Sequence, residues 1–180
     1  MYFAIVTSMP ELGYTDAWGR HADTGDLALD LDRNSGTGEY GYEYGIKTHG
    51  SSKGQICYLP DWSLPNSGDG FPASAPSTMS CTGSESVVKG SAETVYANAG
   101  SSDNGVSNYI IEIKVPKNLI GSPVQGDIGD LHSTVTCGND VIEIDHYSFD
   151  FPVPEFFSVL VPLMILLTVP TILYLKVGTK

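Results

Sequence analysis

Between positions 30 and 39 the chain reads Asp30-Leu-Asp32-Arg-Asn34-Ser-Gly36-Thr-Gly38-Glu39. Carboxylate and amide oxygens at alternate positions of a glycine-bearing turn are the donors that a hard cation such as Ca²⁺ gathers around itself. Asp30, Asp32, Asn34 and Glu39 are therefore the candidate metal ligands, with Ca²⁺ as the candidate cofactor. Arg33 interrupts the run and no glutamate stands at the twelfth position, so the same residues also read as a solvated hairpin turn.

The aromatic residues offer a second chemistry. Tyr40, Tyr42 and Tyr44 recur with the period of a strand and so share one face, with Glu39, Gly41 and Glu43 opposite. A flat row of rings can stack on sugar rings, or it can simply pack in a core with its hydroxyls at the rim. Trp62, within the proline-rich run Tyr58-Leu-Pro-Asp-Trp-Ser-Leu-Pro65, is the single candidate for an exposed sugar platform. The competing reading makes it a loop anchor that plugs the edge of the fold.

Other chemistries find little support. The four histidines are scattered, with no HExxH, GxSxG or P-loop pattern, and a nucleophilic Cys137 near His132 would stand without a motif. Glu112 and Glu143 would serve glycoside hydrolysis only as a pair in one cleft. The chain therefore reads as a non-enzyme. Of three cysteines, Cys57 and Cys81 close the shorter loop, and a disulfide there would stabilise the fold by roughly 3 kcal/mol. No CxxC spacing suggests zinc.

These groups must be carried by strands. Runs of strand-forming residues bounded by Gly, Asn, Asp, Ser and Pro predict strands at Tyr2–Thr7, Asp26–Asp32, Glu39–Ile46, Ile56–Leu59, Ser86–Val88, Glu93–Ala97, Tyr109–Val115, Leu131–Thr136 and Val141–Ile144. Leu27, Leu29 and Leu31 alternate with Asp26, Ala28, Asp30 and Asp32, and Tyr109, Ile111, Ile113 and Val115 share one face. Long loops are expected at Pro60–Thr82 and Asn98–Asn108. The expected fold is all-β, an antiparallel, jelly-roll-like β-sandwich over residues 1–150.

The last thirty residues differ in kind. Phe156 to Leu175 is a twenty-residue run without a charge. As a helix it would be about 30 Å long, the thickness of a bilayer's hydrocarbon core, so a transmembrane helix is predicted. Residues 151–155 form a linker before it and 176–180 a basic tail after it. All twenty-one acidic residues precede the span, as do seven of the nine basic ones, so the body carries about −14 and the tail about +2. Positive charge C-terminal to the span places that end in the cytoplasm and the acidic body outside. Nucleic acid is disfavoured as a partner, because such a body repels phosphates. The first residues, Met1-Tyr-Phe-Ala-Ile-Val-Thr, lack the basic and apolar regions of a secretory signal. The expectation is that the natural N-terminus, and strands with it, lie upstream. The alternative is a tail-anchored protein with a cytosolic body.

Pro154-Glu155-Phe156, directly before the apolar run and a short basic end, resembles the PEF-CTERM sorting signals of archaeal surface proteins. The resemblance implies recognition by an archaeosortase, a membrane transpeptidase that cleaves near the motif and passes the body to a lipid anchor. Phe157 stands where that family usually has a second proline, and the tail has fewer basic residues than is usual there. The segments 25–32 with 39–46, 110–116 and 135–143 also resemble DOMON-type domains and family-nine carbohydrate-binding modules. Those families imply a β-sandwich that binds sugars or haem, in several cases with structural calcium. The function expected is a non-catalytic, single-pass surface protein that contacts carbohydrate or another envelope component. The alternative is a purely structural envelope, adhesion or assembly subunit.

Overall fold

The computed structural model describes residues 1–65, 76–102, 105–138 and 140–150. The linker, Pro154, Glu155, Phe156, the predicted span and the basic tail lie outside the described residues. No helix among those described is long and apolar enough to cross a membrane.

The body is all-β, and every strand pairing in it is antiparallel. In chain order the strands are β1 (Tyr2–Thr7), β2 (Tyr14–Thr15), β3 (His21–Ala22), β4 (Leu27–Asp30), β5 (Tyr44–Ile46), β6 (Gln55–Tyr58), β7 (Asp61–Ser63), β8 (Thr78–Ser80), β9 (Val87–Ser91), β10 (Glu93–Ser101), β11 (Ser107–Lys114), β12 (Ile128–Thr134) and β13 (Val141–Ser148). One sheet has three strands in the order β1-β11-β10, and the other six in the order β13-β12-β4-β5-β6-β9. β2 and β3 form one small hairpin, and β7 and β8 another.

Alternation explains how the two sheets meet. Ile111, Ile113 and Val115 recur with period two and are all buried, while Glu112 and Lys114 between them face solvent. They share one apolar cluster with Ile5 of β1, Leu27 and Leu29 of β4, Ile46 of β5, Ile56 of β6 and Leu131 of β12. Burying each such side chain stabilises the fold by roughly 1.5–3 kcal/mol.

The opposite face of the six-stranded sheet is also covered, which alternation did not foretell. Asp26, Ala28 and Asp30 are as buried as the leucines beside them, because the β7–β8 hairpin lies across that face. Its Trp62 and Met79 pack with Ala28 and Cys57 in a second apolar cluster. Gly45 permits this approach. A Cβ there would overlap Met79 Sδ and lie 3.0 and 3.1 Å from two carbons of the Trp62 ring. Cys57 and Cys81 are joined in a disulfide that ties β6 to the chain just after β8.

The predicted strand at Glu39–Ile46 is shorter than expected. Gly38, Tyr40 and Gly41 all have positive φ, at 75°, 59° and 85°, so the chain turns there, and regular pairing starts only at Tyr44. β7 and β8 lie in the region read as one long loop, since three-residue strands leave too short a pattern to register. The loop expected at Asn98–Asn108 is shorter, because β10 runs on to Ser101 and β11 begins at Ser107.

Candidate functional site

The predicted aromatic row does not form. Tyr44 faces the core, 8% exposed, with its ring 5.1 Å from that of Tyr58. Tyr42 is half-buried on the opposite face, donates its hydroxyl to Glu143 Oε1 at 2.9 Å and packs on His132. Burial first, and then that hydrogen bond, push the Tyr42 hydroxyl well above its ordinary pKa. Tyr40 alone of the three is exposed, in the turn. The positive φ at Tyr40 and Gly41 breaks the two-residue period that would have aligned the rings.

Trp62 is likewise no platform: it is 6% exposed and packs beside Met79 against Ala28 and Cys57. Its backbone amide donates to Glu39 Oε2 at 2.6 Å, and its indole N–H reaches the Tyr42 carbonyl at 3.5 Å. It serves as an anchor for the hairpin, the second of its two readings.

The tryptophan that is displayed is Trp18, 81% exposed, in the turn between β2 and β3. Asp16 builds this turn. Its Oδ1 accepts the amides of Trp18 and Arg20, each at 2.9 Å, and its Oδ2 accepts Arg20 Nε at 2.7 Å. These bonds hold the Asp16 carboxyl below its ordinary pKa, outweighing a desolvation effect that acts the other way. The Arg20 guanidinium lies 5.1 Å from the centre of the Trp18 ring, a cation–π contact. Thr15, His21 and Asp23 continue as a chain of side-chain contacts, and the Asp23 amide donates to the Thr136 hydroxyl, two residues past β12. The exposed indole thus carries a guanidinium over its ring, and the Asp16 carboxylate holds that guanidinium in place. The sequence signal was present in Asp16-Ala-Trp-Gly-Arg20, a turn pattern around a tryptophan, but its lack of strand periodicity left it unread.

The acidic run divides between two roles. Asn34 and Glu39 are engaged in the local structure. Asn34 Oδ1 accepts the Gly36 amide at 3.1 Å, Asn34 Nδ2 donates to Thr37, and Glu39 holds Trp62. Asp30 and Asp32 instead converge with Glu43, a residue outside the predicted set, and one oxygen from each lies within 4.8 Å of the others. Glu43 is 4% exposed, and its Oε1 accepts the Leu31 amide at 2.6 Å. Burial pushes its carboxyl up to about 7, and the charges of Asp30 and Asp32 add to that rise, against a downward pull from the amides of Leu31 and Glu43. Burial likewise raises Asp30, opposed by the Arg33 amide and assisted by Asp32 and Asp130. Glu43 was legible as a residue on the face opposite the tyrosines, but the turn at Tyr40 and Gly41 hides which carboxylates it meets.

Glu39 also lines a polar cleft of about 580 Å³ with Asp61, Glu85 and Ser86. His132, buried in β12, faces Glu143 Oε2 with Nδ1 at 2.6 Å and the Pro76 carbonyl with Nε2 at 3.0 Å. Both ring nitrogens are thus engaged in the packing of β12 against β13 and the chain before β8. Cys137 takes no part in the disulfide.

Comparison with protein-family models, curated proteins and solved structures finds no match for this chain.

Proposed function

We propose that this chain is a non-catalytic cell-surface protein. In this reading a jelly-roll-like β-sandwich is displayed outside the cell by a C-terminal transmembrane span, and the body contacts carbohydrate of the envelope through the Trp18 turn. The observation that carries the ligand reading is the turn itself: Asp16 fixes its backbone while Trp18 remains 81% exposed. A sugar ring's apolar C–H face is the kind of surface that stacks on an exposed indole plane. The Arg20 guanidinium, held by Asp16, lies over one face of the indole, so a sugar ring would stack on the other face.

Affinity electrophoresis of the purified protein through gels containing envelope polysaccharide tests this reading. The unaltered protein should be retarded, Trp18→Ala should lose at least tenfold in affinity, and Tyr40→Ala should change little. Equal retardation of the protein and its Trp18→Ala variant would overturn it. Display and processing are tested by the intact mass of the protein from its native membrane. A mass ending near Pro154–Phe156 supports sorting by an archaeosortase, whereas a mass retaining Phe156–Lys180 leaves a plain membrane span.

A second reading, an envelope assembly subunit, is favoured by β13. Among the described residues that strand is an edge of the six-stranded sheet, and it exposes Val141, Ile142 and Ile144, which suits pairing with another chain.

A further inference from the structure

Glu43 places a carboxylate where a fold can ill accommodate one. Its side chain is 4% exposed, and although Oε1 has the Leu31 amide, Oε2 has no hydrogen-bond partner. An unpartnered buried polar atom costs on the order of 1–3 kcal/mol, and a charged one more. The cost is compounded here because Asp30 and Asp32 each bring an oxygen within 4.8 Å. Among the described residues no lysine, arginine or histidine forms an ion pair with any of the three. The basic residue nearest in sequence, Arg33, pairs its guanidinium elsewhere, with Nε 3.8 Å from Asp130 and Nη2 2.6 Å from His146. Only its backbone amide serves the cluster, donating to Asp30 Oδ1 at 2.6 Å.

We infer that Asp30, Asp32 and Glu43 form a binding site for one hard divalent cation, with Ca²⁺ the best fit. Three carboxylates, one of them the Glu43 group with its orphaned oxygen, compose an all-oxygen donor set without nitrogen or sulfur, which suits Ca²⁺ or Mg²⁺ rather than zinc or copper. Irregular ligand geometry on a turn favours the larger ion, since Mg²⁺ demands a near-ideal octahedron. Asp32 is exposed while Asp30 and Glu43 are buried, so the cluster opens to solvent on the Asp32 side and an ion can enter there. The ligand set differs from the run read along the sequence. Asn34 and Glu39 drop out because the turn and Trp62 occupy them, and Glu43 comes in from the start of β5. The site joins the end of β4 to the chain entering β5, so an ion there would stitch the two sides of the turn. It is independent of the Trp18 reading.

Calorimetric titration of CaCl₂ into the full chain, held in detergent and freed of metal beforehand with chelator, tests the site. One saturable site is expected, with Kd on the order of 0.1–1 mM, the range of extracellular modules. Asp32→Asn and Glu43→Gln should each weaken it tenfold or more, and Glu112→Gln, on the other sheet, should leave it unchanged. Circular dichroism establishes that each variant is folded. If Glu43→Gln does not fold, the exposed Asp32→Asn decides alone. The inference is overturned if no saturable binding occurs through the millimolar range, if Asp32→Asn binds as tightly as the unaltered protein, or if Mg²⁺ binds more tightly than Ca²⁺.

Discussion

The carboxylate of Asp26, on the sheet, accepts a hydrogen bond from the backbone amide of Met79, on the hairpin that covers it, at 2.8 Å. The same carboxylate receives Lys47 Nζ at 2.9 Å and the Thr48 amide at 3.2 Å, and its own amide donates to the Ser77 carbonyl. Asp26 is fully buried. One acidic side chain thus pins β8, and through it the Trp62 cluster, to the edge of β4 and β5.

Replacing Asp26 with alanine should therefore be severe. The change strands the Lys47 ammonium, which is largely buried, and leaves two backbone amides without an acceptor. Breaking a buried pair in this way costs about 3–5 kcal/mol. Urea unfolding should show the loss as a fall in midpoint at unchanged slope.

Gly45→Ala should destabilise by about 1–3 kcal/mol, the usual penalty for overpacking. The added methyl would press on Met79 Sδ and on the Trp62 ring. Near-ultraviolet circular dichroism should change with it, because Trp62 is one of two tryptophans and the only one buried. A variant with unaltered stability and tryptophan signal would show that the hairpin does not lie on this face.

Glu43 makes stability fall as pH rises. Its carboxyl titrates near 7 in the folded protein against an ordinary value of 4.5, so the folded state holds a proton that the unfolded state releases. The stabilisation is complete below about pH 4.5 and is lost as pH climbs through 7, by roughly 2–3 kcal/mol. In chelator, the difference in unfolding free energy between the protein and Glu43→Gln should follow that course. Millimolar Ca²⁺ should flatten it by stabilising the ionised form. A pH-independent difference in chelator would refute this account.

Much of the architecture was legible in residue order. The period-two runs at 27–31 and 109–115 announced an antiparallel all-β body, because alternation along an extended chain maps directly onto the faces of a sheet. The Cys57–Cys81 pairing was also foreseeable, since the shorter of the available loops is the one closed.

Residue order alone was enough for the strands of the two larger sheets, the acidic balance and the apolar stretch from Phe156 to Leu175, since each depends on neighbours in the chain. It left Trp62 undecided between display and packing, and favoured packing for the tyrosines. That choice depends on what lies above the sheet, and β7 and β8 reach it from a separate stretch of chain. The folded structure buried Trp62, exposed Trp18, and brought Glu43 beside Asp30 and Asp32. The physical reason is the turn through Gly38, Tyr40 and Gly41: their positive φ reverses the chain and brings together oxygens thirteen residues apart, which no periodicity along the sequence encodes.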